Sequence, residues 1–130
     1  MPQYMLLIYT PVDSPMTPEQ MAEMGPRWDE FTERLKSAGA LVAGDALERP
    51  DVATTVRERG GQTQFTDGPF AETKEFLAGY YLVDCPDLDT ALGHASRMPN
   101  VGFGSVEVRP VWDRTGPQAT SREQVAQAGA

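Results

Sequence analysis

The sequence predicts an α+β domain with one antiparallel sheet and two helices on one of its faces, and three observations carry that prediction. Residues 3–9 and 76–83 are apolar on both alternating sets of positions, the mark of strands buried from both sides and central in a sheet. Two stretches with an apolar stripe at helical spacing follow these strands, one after each. The order reads β-α-β, a polar hairpin, then β-α-β. With the hairpin set aside as an insertion, this is the split βαβ, or ferredoxin-like βαββαβ, arrangement with two helices on one sheet face.

The first strand, Gln3 to Tyr9, sets Tyr4, Leu6 and Ile8 on one face and Met5, Leu7 and Tyr9 on the other. A domain of 130 residues has little helix to cover both faces, and a second subunit is one way to supply the missing cover. Two sheets packed face to face would bury the second apolar set and enclose a cavity, so a homodimeric α+β barrel is expected.

Pro11 to Pro15 reads as a loop. Thr17-Pro18-Glu19-Gln20 then has the form of a helix start, with Thr17 as N-cap, Pro18 at the first helical position and Gln20 completing a capping box. Met21, Met24, Trp28, Phe31, Leu35 and Ala38 share one face. Gly25-Pro26 interrupts that pattern, which predicts a short lead-in, a kink or break, and a main helix over 27–38. Gly39 supplies the left-handed stop.

Leu41 to Leu47 is the second strand, interrupted at Gly44-Asp45. Segments 53–59 and 62–65 flank Gly60-Gly61, a two-residue hairpin signal, and are polar on both faces, as a peripheral ribbon would be. Pro86-Asp87 opens a helix striped by Leu88, Ala91, Leu92, Ala95 and Met98, and Pro99-Asn100 ends it. In the last strand, 103–112, Gly104, Val106 and Val108 alternate with Ser105, Glu107 and Arg109. The domain is therefore placed at 1–113. Residues 114–130, rich in Thr, Gly, Gln, Ser and Ala, are expected to be a mobile tail or a weakly held terminal helix.

A formal net charge of −8 with no local Lys/Arg run removes the basic surface that nucleic acid or an anionic membrane requires. No apolar run approaches the length needed to span a bilayer, and the N-terminus lacks the basic, apolar and cleavage regions of a secretory signal. Cys85 is the only cysteine, which suits a reducing cytoplasm, and His94 the only histidine, so one chain offers no ordinary metal ligand set. A cytoplasmic protein with no metal and no cofactor is the expectation. Cys85 reads as a small hydrophobe at a strand end, and His94 as a partly exposed surface residue.

The most distinctive stretch is Thr66-Asp67-Gly68-Pro69-Phe70-Ala71-Glu72-Thr73-Lys74-Glu75. Gly68 and Pro69 fix a turn, Asp67 can hydrogen-bond within it, and Glu72, Lys74 and Glu75 bring both signs of charge to the start of an apolar strand. It is either a tight turn with solvated charges or the rim of a ligand cavity. From Asp67 to Glu75 it resembles the signature of the DGPF branch of the YCII-related domain family. Tyr4-Met5-Leu6-Leu7-Ile8-Tyr9, Leu41-Val42-Ala43-Gly44 and Gly104-Ser105-Val106-Glu107-Val108-Arg109-Pro110 match as well, so the resemblance spans roughly 3–112.

The resemblance implies a dimeric α+β barrel. It also implies either a protein of no assigned activity, in some cases linked to alternative sigma factors and transcription, or an enzyme on small cyclic substrates. Dehydrochlorinases of chlorinated lactones are relatives of the second kind, and muconolactone isomerases and cofactor-independent monooxygenases share the barrel. An active-site histidine on the first helix, paired with an aspartate, is implied too. Measured back from Gly39 that position falls at about Trp28, whose indole cannot shuttle a proton near neutral pH, so a histidine mechanism does not carry over.

The candidate bases are therefore the carboxylates Asp45, Asp67 and Glu107. Arg109 or Lys74 would stabilise developing oxyanion charge, and Trp28, Phe70 and Ser105 complete the candidate substrate contacts. The alternatives are plainer: Asp45 as a bulge residue, Ser105, Glu107 and Arg109 as the solvated face of an edge strand, and Trp28 and Tyr9 as core. The functional reading is a small anionic or carbonyl-bearing ligand in a mostly apolar pocket, with lyase, isomerase or monooxygenase-like chemistry if catalytic. The alternative is a regulatory or protein-interaction module.

Overall fold

The structure is a computed structural model that describes residues 1–13, 16–69 and 73–128. Ser14 and Pro15 of the expected loop, Phe70, Ala71 and Glu72 of the motif, and the last two residues of the tail lie outside the described residues.

Four strands form the main antiparallel sheet: β1 (Gln3–Pro11), β2 (Leu41–Ala46), β5 (Glu75–Asp84) and β6 (Ser105–Pro110), in the order β2-β5-β1-β6. β3 (Thr54–Arg59) and β4 (Gln62–Asp67) pair only with each other. The two strands with apolar residues on both faces are the two central ones, and leaving out the ribbon gives the ferredoxin-like topology. Gly60 and Gly61, at φ 59° and 78°, make the tight turn of the ribbon.

The first helix, α1, runs unbroken over Pro18–Ser37 with Pro26 inside it, so the predicted break at Gly25-Pro26 does not occur. The missing proline donor orphans one carbonyl on a stretch where Gly25, Pro26 and Arg27 are all exposed, and water can satisfy it there. The start is a capping box: Gln20 N donates to Thr17 Oγ1 (3.2 Å) and Thr17 N to Gln20 Oε1 (2.9 Å). Gly39 adopts φ 69°, and Ala40 N bonds back to Leu35 O, closing the helix. Only Phe31 and Leu35 of its stripe are buried, while Met21 is exposed, so the N-terminal turns overhang the sheet.

The second helix, α2 (Leu88–Ala95), stops short of Met98, which is nonetheless buried in the turn that follows. Asp87 caps it by accepting from Thr90 N and Thr90 Oγ1. Tyr4, Leu6, Ile8 and Val83 from the sheet meet Phe31 and Leu35 of α1 and Ala91 and Ala95 of α2 in one core, with Val106 and Val108 packed at its margin. Neither α1 nor α2 covers the other sheet face, where Met5, Leu7, Tyr9, Tyr80 and Leu82 remain partly exposed. A third helix, α3 (Arg122–Ala128), starts within the tail and is capped by Ser121 and Gln124.

Candidate functional site

Side-chain alternation and strand register decide which polar groups reach the uncovered face. Tyr80 of β5 is the cross-strand partner of both Asp45 on β2 and Leu7 on β1, and Leu7 is in turn the partner of Glu107 on β6. Asp45, Tyr80, Leu7 and Glu107 therefore form one row across the sheet, and cross-strand partners share a face. The row on one side of it holds Leu82, Met5 and Arg109, and the row on the other side holds Leu77, Tyr9 and Ser105.

Three polar pairs are built on this frame. At one edge the Tyr80 hydroxyl donates to Asp45 Oδ2 at 2.8 Å. That bond, reinforced by the carboxylate's charge, raises the Tyr80 pKa above the ordinary phenol value, so the phenol keeps its proton and remains a donor. At the opposite edge Arg109 Nε lies 3.6 Å from Glu107 Oε1, with both side chains at least half exposed. At the end of the sheet Ser105 Oγ donates to both oxygens of Glu75 (3.0 and 3.1 Å), bridging over β1.

Asn100 positions Ser105. Its buried Nδ2 donates to Tyr9 O (3.2 Å) and to Ser105 O (3.0 Å), fixing the first residue of β6 against β1. Gly104 permits this approach, since a Cβ there would stand 2.3 Å from Tyr9 O.

The candidate residues thus divide. Asp45, Ser105, Glu107 and Arg109 come together on the uncovered face. Asp45 and Glu107 sit on opposite edge strands, three strand spacings or about 14 Å apart, too far to act on the same atom. Asp67 ends the ribbon, whose strands pair only with each other and not with the strands of the row. The bonds at that corner run from Gly68 N to Ala53 O (2.7 Å) and from Thr55 Oγ1 to Gly68 O (2.9 Å), with Gly68 at φ 100°.

Lys74 is exposed. Its carbonyl accepts from Val12 N, and its side chain borders an open depression with Pro11, Val12, Asp13 and Thr73. Thr73 Oγ1 donates to Glu75 O and orders the start of β5. Phe70 and Glu72 lie outside the described residues.

Trp28 lies between α1 and the sheet, stacked on Tyr81 (6.4 Å between centroids, 21° between planes) and edge-on to Phe31. The sheet separates it from Asp45 and Glu107. Tyr81 is anchored there by a 2.6 Å bond between its hydroxyl and Thr32 Oγ1. Cys85 is fully buried, and burial pushes its thiol pKa up, away from nucleophilic use. His94 is partly buried and its pKa is lowered, first by burial and then by the charge of Arg97.

Sequence reasoning missed Tyr80. Its partnership with Asp45 depends on the β2–β5 register, which shifts between Leu41 and Ala43. Among the described residues, no group of three or more His, Cys, Asp or Glu side chains could hold a metal ion. No helix among them is long and apolar enough to cross a membrane.

Comparison with known proteins adds two findings. The profile of the YCII-related domain matches residues 2–115. An uncharacterized protein of Rhizobium meliloti (strain 1021) is 47% identical over 76 residues, which make up 57% of this chain and 61% of that protein. The match thus spans about three fifths of the relative's length.

Proposed function

Because the chain belongs to the YCII-related domain family, we propose that it binds a small anionic or carbonyl-bearing molecule on the uncovered sheet face, in a cavity closed by a second copy of the chain. The motif from Asp67 to Glu75 supports placing it in the DGPF branch. The observation that carries the functional reading is the row Asp45–Tyr80–Leu7–Glu107 with Arg109 beside it: an apolar centre with donors and acceptors at both ends. Such a lining, mostly apolar with a few directed polar groups, is what small-molecule sites use.

Proton transfer is the chemistry these groups suit. Asp45 would accept a proton, with the Tyr80 hydroxyl donating to it and orienting it. Arg109 would hold a ligand carboxylate in the manner of a guanidinium fork. Asp45 and Arg109 stand at opposite edges of one sheet, so a small ligand would meet one from each copy, or only one of them.

The test is a thermal-shift and calorimetric screen of small carboxylates, lactones and cyclic ketones. A saturable binder whose affinity falls at least about tenfold in Arg109→Leu or Asp45→Asn supports the reading. Absence of any saturable binder, or one indifferent to both changes, removes it.

A second reading, an interaction module, draws on the ribbon. Val56 and Phe65 are cross-strand partners there and are 59% and 72% exposed, an apolar pair left open by the described residues. If this reading holds, Val56→Ser with Phe65→Ser abolishes a protein contact and leaves small-molecule binding intact.

A further inference from the structure

On the helical side of the molecule, away from the face discussed above, one cleft gathers positive charge in an otherwise acidic protein. Arg27, Glu30, Phe31 and Arg34 of α1 line one wall, and Arg97 and Pro99 of the turn after α2 line the other, around a volume of about 170 Å³. Positions 27, 31 and 34 follow the four- and three-residue steps that put side chains on one helical face. Of these lining residues Phe31 and Pro99 are buried, while Arg27, Arg34 and Arg97 are exposed.

Three positive charges face one negative charge here, in a chain whose net charge is −8. Glu30 pairs with Arg34 at 3.2 Å, with both side chains well exposed. Neither Arg27 nor Arg97 has a carboxylate partner among the described residues. Among the described residues Arg27 makes a long contact from Nη1 to Met24 Sδ. Unneutralised guanidinium groups around one cleft repel each other, and a multivalent anion offsets that repulsion while accepting from several planar forks at once.

We propose that this cleft is a binding site for a phosphate group, held by Arg27, Arg34 and Arg97, with Glu30 as the competing internal anion. No linear basic run announces it, because the fold assembles it from 27–34 and 97. Free phosphate and a phosphate carried on an organic molecule offer these guanidinium groups the same acceptor oxygens. The site is separate from the uncovered sheet face, so the two proposals stand or fall independently.

His94, the only histidine, reports on the site. Arg97 contributes to holding its pKa down, second to burial, so an anion neutralising Arg97 raises that pKa.

The experiment is an NMR titration of the full chain with inorganic phosphate and, separately, phenyl phosphate, following the His94 imidazole signal and the amides of α1. Saturable binding is expected, with an upward shift of the His94 pKa at saturation. Tighter binding of phenyl phosphate assigns the site to a phosphate ester, and equal binding assigns it to free phosphate. Arg97→Gln and Arg34→Gln each weaken binding by about tenfold, and Glu30→Gln strengthens it by about two- to fivefold. All three positions are exposed, so the fold is retained and the comparison is direct. No saturation below about 10 mM, an unmoved His94, or unchanged affinity in Arg97→Gln overturns the proposal.

Discussion

The Tyr80 hydroxyl and the Asp45 carboxylate meet across β5 and β2 at 2.8 Å, on the sheet face that neither α1 nor α2 covers. The bond raises the Tyr80 pKa above its ordinary value of 10.0, chiefly through hydrogen bonding and then through charge. A phenol whose folded pKa is raised adds stability that is fully present below the unfolded pKa and is lost as pH rises through the folded one. Alkaline titration of tyrosinate absorbance should therefore show Tyr80 ionising late, and Asp45→Asn should bring it back toward the ordinary value. The variant should lose less stability than the wild type as pH rises above about 10.

Asp87 acts at the opposite end of the pH scale. Its bonds from Thr90 N and Thr90 Oγ1 lower its pKa below 3.8. A carboxylate with a lowered folded pKa adds stability above the unfolded pKa and loses it as pH falls through the folded one. Asp87→Ala should lower Tm by a few degrees at neutral pH. Asp87→Asn should retain most of the cap and flatten the loss of stability below about pH 4.

Gly104 is set where backbone meets backbone, with Tyr9 O only 2.3 Å from the position of an added Cβ. Gly104→Ala should cost about 2–4 kcal/mol in denaturant unfolding, since strand β1 cannot yield as a side-chain tip would. Gly93, inside α2, provides the contrast: its added Cβ meets no described atom within 4 Å beyond its chain neighbours and its own helix backbone. Gly93→Ala should stabilise by about 0.5–1 kcal/mol.

The two tryptophans should respond oppositely to a soluble quencher. Trp28 is stacked on Tyr81 and packed against the core, while Trp112 is 77% exposed beneath the Arg114 guanidinium. Acrylamide should quench Trp112 readily, and Trp112→Phe should leave a blue-shifted, protected emission from Trp28. Ready quenching in that variant would show Trp28 to be accessible as a ligand platform.

The frame of the molecule is legible in its apolar pattern. Tyr4, Leu6 and Ile8 against Met5, Leu7 and Tyr9 can only be a central strand, and Val106 and Val108 identify the inner face of β6. The capping box at Thr17 and Gln20 marks the start of α1. Local rules misread Pro26, because the cost of one lost donor on an exposed turn is too small to end a helix whose next turns bury Phe31 and Leu35. The polar arrangement is less legible because it depends on register. The shift between Leu41 and Ala43 belongs to the β2–β5 register in which Tyr80 meets Asp45, and the β1–β6 register stands Glu107 at the far end of the same row. The arginine cleft needs residues from α1 and from the turn after α2, which only the tertiary fold brings together.

The central claim, that the uncovered face is closed by a second copy to form the ligand cavity, is tested most directly by sedimentation equilibrium on the wild type and on Leu7→Lys. The wild type should have a mass of twice 14.2 kDa, and Leu7→Lys, whose charge falls in the middle of the row, should be a monomer. A monomeric wild type at tens of micromolar, or a dimer indifferent to Leu7→Lys, would contradict it.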